Sequence, residues 1–294
     1  MNEIKVAAIG LDTSHTAEFT KRFQDPACPK EDRVPGVRVI SCMRFETPFQ
    51  NKEGLDKRQK QLEEWGVKVT GNYDEAVKGA DALLLEINDA ALHLEYFRKA
   101  ALLGKPIYLD KPLADTAENG REILKIAAEK KLKVFSTSSL RYDSGLILAS
   151  GRMPKPLFAH MYGPLGKAAS GSSIVWYGVH CFEMLVRAMG KGAGKVSAAK
   201  TDSGAVITVQ YSGKRRGVVE LNEGAWVYGG ELRLADKAEP FVVDSGRLYT
   251  NLCNKIAEFL KTGVSPVPLE ETMEVMVLLD AAERAYNTGK EIIL

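Results

Sequence analysis

The sequence predicts an α/β chain in which an N-terminal doubly wound parallel sheet is followed by a C-terminal α+β domain with an open, largely antiparallel sheet. Three observations predict it. Apolar runs of strand length alternate with helical stretches up to about residue 140, which requires crossover helices and hence parallel neighbours. Beyond that point short strand-like segments are separated by turn residues. Two helical stretches close the chain, the last of them amphipathic. A boundary near residue 140 gives domains 1–140 and 141–294.

IKVAAIG (4–10) is a continuous apolar run of the kind found in a buried parallel strand, and TAEFTKRFQ follows with Phe19 and Phe23 at helical spacing. VRVISCM (37–43) is a second strand, EGLDKRQKQLEEWG a polar helix, and VKVTG a short third strand. After YDEAVKG comes ADALLLEI (80–87), the most apolar strand in the chain. HLEYFRKAALLG makes a helix closed by Gly104, and KPIYLDKP supplies the next strand. ENGREILKIAAEKK and LKVFSTSS complete one more helix and strand of a Rossmann-type domain. In the second half, residues 205–237 (AVITVQY to LRLADK) carry turns at Ser-Gly-Lys, Asn-Glu-Gly and Gly-Gly and predict an antiparallel meander. Helices are expected at about 248–261 and 270–287.

Forty basic and 38 acidic residues leave a formal charge of +2, with no dense positive face for nucleic acid or an anionic membrane. No run approaches the ~18 apolar residues of a membrane span, and MNEIKVAAIG has none of the regions of a signal peptide, so a cytoplasmic protein is expected. Cys28, Cys42, Cys181 and Cys253 are far apart, so no zinc cage, disulfide framework or other metal site is expected.

GLDTSH (10–15) sits where the first strand meets the first helix, the junction that reads G-x-G-x-x-G in a dinucleotide-binding domain. Gly10 keeps the tight turn, but the second glycine is replaced by Asp12 and the third by His15. A carboxylate beside a diphosphate is repelled, and His15 is bulky against the sheet. Thr13 and Ser14 are good N-cap residues, and a helix N-terminus still offers N–H groups to an anion. Arg44 stands where an NAD enzyme carries an acidic residue, which favours a 2′-phosphate and hence NADP.

The segment LHLEYFRKAALLGKPIYLDKPLADT (92–116) resembles the Gfo/Idh/MocA family, the glucose–fructose oxidoreductase and inositol dehydrogenase relatives. That family's Glu-Lys-Pro, after an Ala-x-x-x-Gly-Lys helix exit, is here Asp110-Lys111-Pro112. Arg141-Tyr142, YGVHCFEMLVRAMG (177–190) and the terminal YNTGKEIIL extend the likeness. The resemblance implies an NAD(P)-dependent enzyme that transfers a hydride to or from a sugar, cyclitol or related polyol. It implies His180 and Lys111 as catalytic residues, the first removing the alcohol proton and the second stabilising charge on oxygen. Gly10, Asp12, Thr13, Ser14, His15, Arg44, Asn88, His93, Asp110 and Lys111 fall at the expected cofactor positions. His93 is also read as a helix-start packing residue, and His160 as a plain strand residue. Many relatives have an acidic residue four positions before the histidine, which is Trp176 here, so another group must orient His180. Trp176 and Tyr177 form a candidate platform for a sugar ring, and Lys167 centres a Gly- and Ser-rich loop (163–173) that is a candidate substrate loop. A homo-oligomer through the C-terminal sheet is expected. Two alternatives remain: a glycoside-cleaving enzyme with no net redox change, and a non-catalytic ligand-binding or regulatory protein.

Overall fold

The structure, a computed structural model, describes residues 3–294. It divides into two compact units. The first holds residues 1–114, 118–136 and 249–269; the second holds 115–117, 137–248 and 270–294.

In the first unit the alternation runs β1 (Ile4–Ile9), α1 (His15–Gln24), β2 (Val37–Met43), α2 (Lys52–Glu64), β3 (Lys68–Thr70), α3 (Tyr73–Val77) and β4 (Ala82–Leu85). It continues through α4 (His93–Ala101), β5 (Ile107–Leu109), α5 (Ala117–Glu129) and β6 (Val134–Phe135). Asn51 and Asn72 cap α2 and α3 by accepting from the N–H groups of Gly54 and Glu75. Gly104, at φ +63°, turns the chain after α4 as its position predicts. All six strands are parallel in the order β3-β2-β1-β4-β5-β6, so the strand order reverses between β1 and β4. Ile9 ends opposite both Met43 and Leu85, which brings the carboxyl ends of three strands level at that switch point.

The second unit opens with α6 (Ser144–Arg152), β7 (Phe158–Pro164), a π-helical turn (Ile174–Gly178) and α7 (Val179–Met189). The strands β8 (Ala193–Thr201), β9 (Gly204–Tyr211), β10 (Arg216–Asn222), β11 (Gly229–Arg233) and β12 (Ala238–Val242) follow. After α8 (Leu248–Thr262) and α9 (Leu269–Thr288), β13 (Ile292–Ile293) joins the far edge on β8. The sheet order is β12-β11-β7-β10-β9-β8-β13.

This corrects the simple meander. β7 inserts between β10 and β11, parallel to the first and antiparallel to the second, which leaves β8–β9, β9–β10 and β11–β12 as sequential antiparallel pairs. One face is dry, with Met161, Ile207, Val209, Val219 and Leu221 fully buried, each contributing about 1.5–3 kcal/mol. Gly217 lets α7 approach this face, because a Cβ there would lie 2.6 Å from Leu185.

A single boundary at 140 also differs from what the fold shows. The chain leaves the first unit at 136 but returns for 249–269. There α8 buries Leu252, Ile256 and Phe259, the last with its ring 5.7 Å from Phe135 of β6.

Candidate functional site

At the switch point the chain turns sharply out of β1. Gly10 has φ +109°, and a Cβ on it would lie 2.1 Å from the Glu86 carbonyl oxygen, so only glycine fits. Thr16 Oγ1 donates to the Gly10 carbonyl at 3.0 Å and ties α1 to the turn. The Asp12 carboxylate is 1% exposed and accepts from Asn88 N at 3.0 Å and Thr47 Oγ1 at 2.8 Å. It thereby links the loops that follow β1, β2 and β4. Burial raises its pKa despite these bonds. Thr13 is buried and accepts from His15 N at 3.2 Å, whereas Ser14 makes no side-chain cap bond at the start of α1.

His15 is fixed on three sides. Its Nδ1 lies 2.7 Å from Asp110 Oδ2, its ring stacks on Phe19 at 5.4 Å, and Tyr249 meets it edge-on at 5.3 Å. Asp110 and Lys111 follow β5 directly and are buried. Burial opposes a charge on Asp110, yet His15 and Lys111 beside it hold its pKa below the ordinary value. Glu86, directly after β4, is fully buried. Burial first, and then the Asp110 and Asp12 carboxylates, push its pKa well up against the pull of Lys111.

His93 is fully buried, with Nε2 2.7 Å from the Ile87 carbonyl and Nδ1 3.3 Å from that of Leu113. That is the packing role: it pins the loops after β4 and β5. Arg44 turns to α2, 2.7 Å from Asp56 and bonded to Gln59.

In the second unit, His180 is the second residue of α7 and half-buried. Its Nδ1 lies 2.6 Å from Ser138 Oγ, and Tyr228 meets the ring edge-on at 5.5 Å. Ser138 is in turn held by Glu183, one turn along α7, whose Oε1 accepts from Ser138 N at 3.2 Å. Glu183 also accepts from Thr137 Oγ1 at 3.1 Å and Arg141 Nη1 at 3.2 Å, and Arg141 reaches Glu271 as well. Burial raises the Glu183 pKa against those partners.

Ser138 thus takes the orienting place that Trp176 vacates. Sequence reasoning missed both Ser138 and Glu183; the cue was an acidic residue inside an otherwise apolar helix face.

Trp176 packs edge-on to Tyr177 at 4.5 Å, and Tyr177 to the exposed Trp226 at 5.6 Å. Gly166 is fitted against the Tyr177 ring, where a Cβ would lie 2.2 Å from it. Lys167 lines a cavity of about 600 Å³ with Ser172, Asn222, Glu223, Trp226 and Glu283.

A six-stranded parallel sheet with a glycine turn at its switch point and charged residues at its strand ends defines a protein of the Rossmann class. Residues 52–138 match the family GFO_IDH_MocA, an oxidoreductase family with an NAD-binding Rossmann fold. An inositol 2-dehydrogenase of Serratia proteamaculans is 31% identical over 100 residues, 32% of this chain and 30% of that protein. The match therefore spans under a third of that relative's length. Across the whole chain, myo-inositol 2-dehydrogenase from Lactobacillus plantarum shares the fold with TM-score 0.81 at 14% identity, covering 100% of both chains. Scyllo-inositol dehydrogenase from Lactobacillus casei, solved with NAD(H) and scyllo-inositol, has TM-score 0.80 at 13% identity over 99% of each chain. No helix among the described residues is long and apolar enough to cross a membrane.

The crevice at this switch point departs from the glycine pattern of a dinucleotide site. Asp12 fills the place where the second glycine lets the backbone meet the pyrophosphate, and its two hydrogen bonds hold the loops after β2 and β4 together across the crevice. Phe45, just beyond β2, stacks on Tyr96 of α4 at 4.9 Å and 7°, a second link between the same sides. Arg44 is paired within the unit, to Asp56 and Gln59.

Proposed function

We propose that this protein is an oxidoreductase of a cyclitol or related polyol, and that its own residues supply the proton half of the reaction. The observation that carries the proposal is the hydrogen bond between His180 Nδ1 and Ser138 Oγ, with the Ser138 backbone held in turn by Glu183, an arrangement that orients the imidazole for use as a base. His180 takes the hydroxyl proton as the alcohol is oxidised. Lys111, buried at the end of β5, is the cation that stabilises the developing alkoxide. Tyr177 and Trp226 offer flat faces suited to the apolar side of a ring. We place a homo-oligomer contact on the open face of the second sheet, where Val206 and Val218 stand half-exposed beside Tyr162.

The filled crevice favours a second reading, a ligand-binding or regulatory protein on the same scaffold. Calorimetric titration with NADH and NADPH separates the two, run on the native protein and on Asp12→Gly, after an aliquot has been denatured to look for carried nucleotide. The oxidoreductase reading expects Asp12→Gly to bind at least about 10-fold more tightly, equal to ~1.4 kcal/mol, as the latch is released. It also expects polyol-dependent nucleotide reduction that His180→Asn abolishes. Absence of binding by both proteins, with no carried nucleotide, would overturn it in favour of the ligand-binding reading.

A further inference from the structure

We propose that His15, Glu86 and Asp110 form a binding site for a divalent transition-metal ion at the carboxyl ends of β1, β4 and β5. These strands are neighbours in the sheet, and each residue stands just past the end of its strand or at the start of the helix that follows. One ligand atom from each lies within 4.8 Å of the other two, and all three residues are buried.

Glu86 supplies the independent observation. It is 0% exposed, and neither carboxylate oxygen has a hydrogen-bond partner. Asp110 Oδ1 is also buried without a partner, while its Oδ2 faces His15 Nδ1 at 2.7 Å. Buried polar oxygens are nearly always satisfied, because leaving them unpaired forfeits the hydration they give up. Protonating Glu86 repairs this only in part: its O–H can turn to Asp110 Oδ1, but the second Glu86 oxygen is left as before. A cation satisfies the imidazole and both carboxylates together.

The chemistry of the set selects the ion. One imidazole and two carboxylates suit Mn²⁺, Fe²⁺ or Zn²⁺, whereas Mg²⁺ and Ca²⁺ prefer all-oxygen sites. Two carboxylates neutralise a dication, and the cation would replace the proton that His15 and Asp110 share. Metal–ligand distances of about 2.0–2.2 Å require the three side chains to draw in around the ion. His15 is already oriented for this by Phe19 and Tyr249. Although the cysteines give no metal signal, the histidine in the glycine position and the glutamate ending the apolar strand do.

The test uses the full chain stripped with chelator and dialysed metal-free. Mn²⁺ binding is followed by loss of its free six-line electron paramagnetic resonance signal, Zn²⁺ binding by calorimetry, and folding by circular dichroism. The expected result is one saturable ion per chain at micromolar or tighter affinity, with a raised melting temperature in the presence of metal. Glu86→Gln should weaken binding by at least about 10-fold and remove the melting shift. His15→Asn should do the same and serves as the second variant if Glu86→Gln is misfolded. No saturable binding by the folded native protein, or binding that both folded variants retain unchanged, overturns the proposal.

Discussion

Replacing Glu183 by leucine removes the acceptor for three donors at once: Ser138 N, Thr137 Oγ1 and Arg141 Nη1. Their costs differ. Arg141 keeps its bond to Glu271, and the Thr137 hydroxyl already lies 3.4 Å from the Ser138 carbonyl and can turn to it. Ser138 N is a buried backbone donor with no freedom to re-aim, and such a donor left unmade costs about 1–3 kcal/mol. Adding the weakened Arg141 pairing and subtracting the relief of a buried carboxylate gives a loss of about 2–4 kcal/mol. At ~2–4 °C per kcal/mol for a protein of this size, the melting temperature should fall by roughly 5–15 °C. Glu183→Gln keeps an acceptor for Ser138 and should lose less than half of that.

The two variants also differ in their pH response. Burial raises the Glu183 pKa, so the folded state holds the proton more tightly than the unfolded chain. Stability contributed by this group is therefore full below the ordinary glutamate range and declines as pH rises towards the raised value. Glu183→Gln should abolish that decline. Thermal melts from pH 4 to 8 test both points, and nitrogen NMR of the His180 ring reports whether its tautomer state changes. A Glu183→Leu protein melting within a degree of the native one, with an unchanged imidazole pattern, would refute the reasoning.

Three further outcomes are expected. Gly10→Ala combines a left-handed φ with a 2.1 Å approach to the Glu86 carbonyl, and should cost more than about 3 kcal/mol by chemical denaturation; a loss under ~1 kcal/mol would disprove the tight turn. Ser138→Ala should lower kcat by about 10- to 100-fold with little change in KM, as expected for an orienting bond to a general base, and should lower the melting temperature by only a few degrees through the lost cap on Leu140 N. Light scattering should show more than one chain per particle, and Val218→Arg should release monomers; a native protein that is monomeric removes the sheet-face contact.

The alternation of strands and helices in the first unit was legible because each apolar run is short, continuous and bounded by glycine or a capping residue, a pattern that local chain chemistry determines. The placement of β7 was not. Its partners in β10 and β11 lie more than fifty residues away, and nothing in FAHMYGP distinguishes a central strand from the start of a meander. The return of α8 to the first unit was hidden for the same reason: Leu252, Ile256 and Phe259 announce an apolar helix face but not which sheet it covers. His180 and Lys111 could be picked out from motif order, whereas Ser138 became visible only through a bond spanning 42 residues.

The substitutions in GLDTSH bear on whether this crevice decayed or was rebuilt. A binding loop released from use has no reason to give each new polar side chain a buried partner. Here Asp12 meets Thr47 and Asn88, and His15 meets Asp110, through side chains and backbone drawn from four separate loops. Hydrogen bonds between buried groups that distant in sequence form only when both ends suit each other in size and polarity, because an unmatched buried group costs more than the bond returns. Within this set the exceptions are Glu86, a carboxylate with both oxygens unserved, and the neighbouring Asp110 Oδ1. A crevice otherwise satisfied to this degree is more simply completed by a cation at Glu86 than by an isolated buried defect, and metal content measured on the native protein decides which it is.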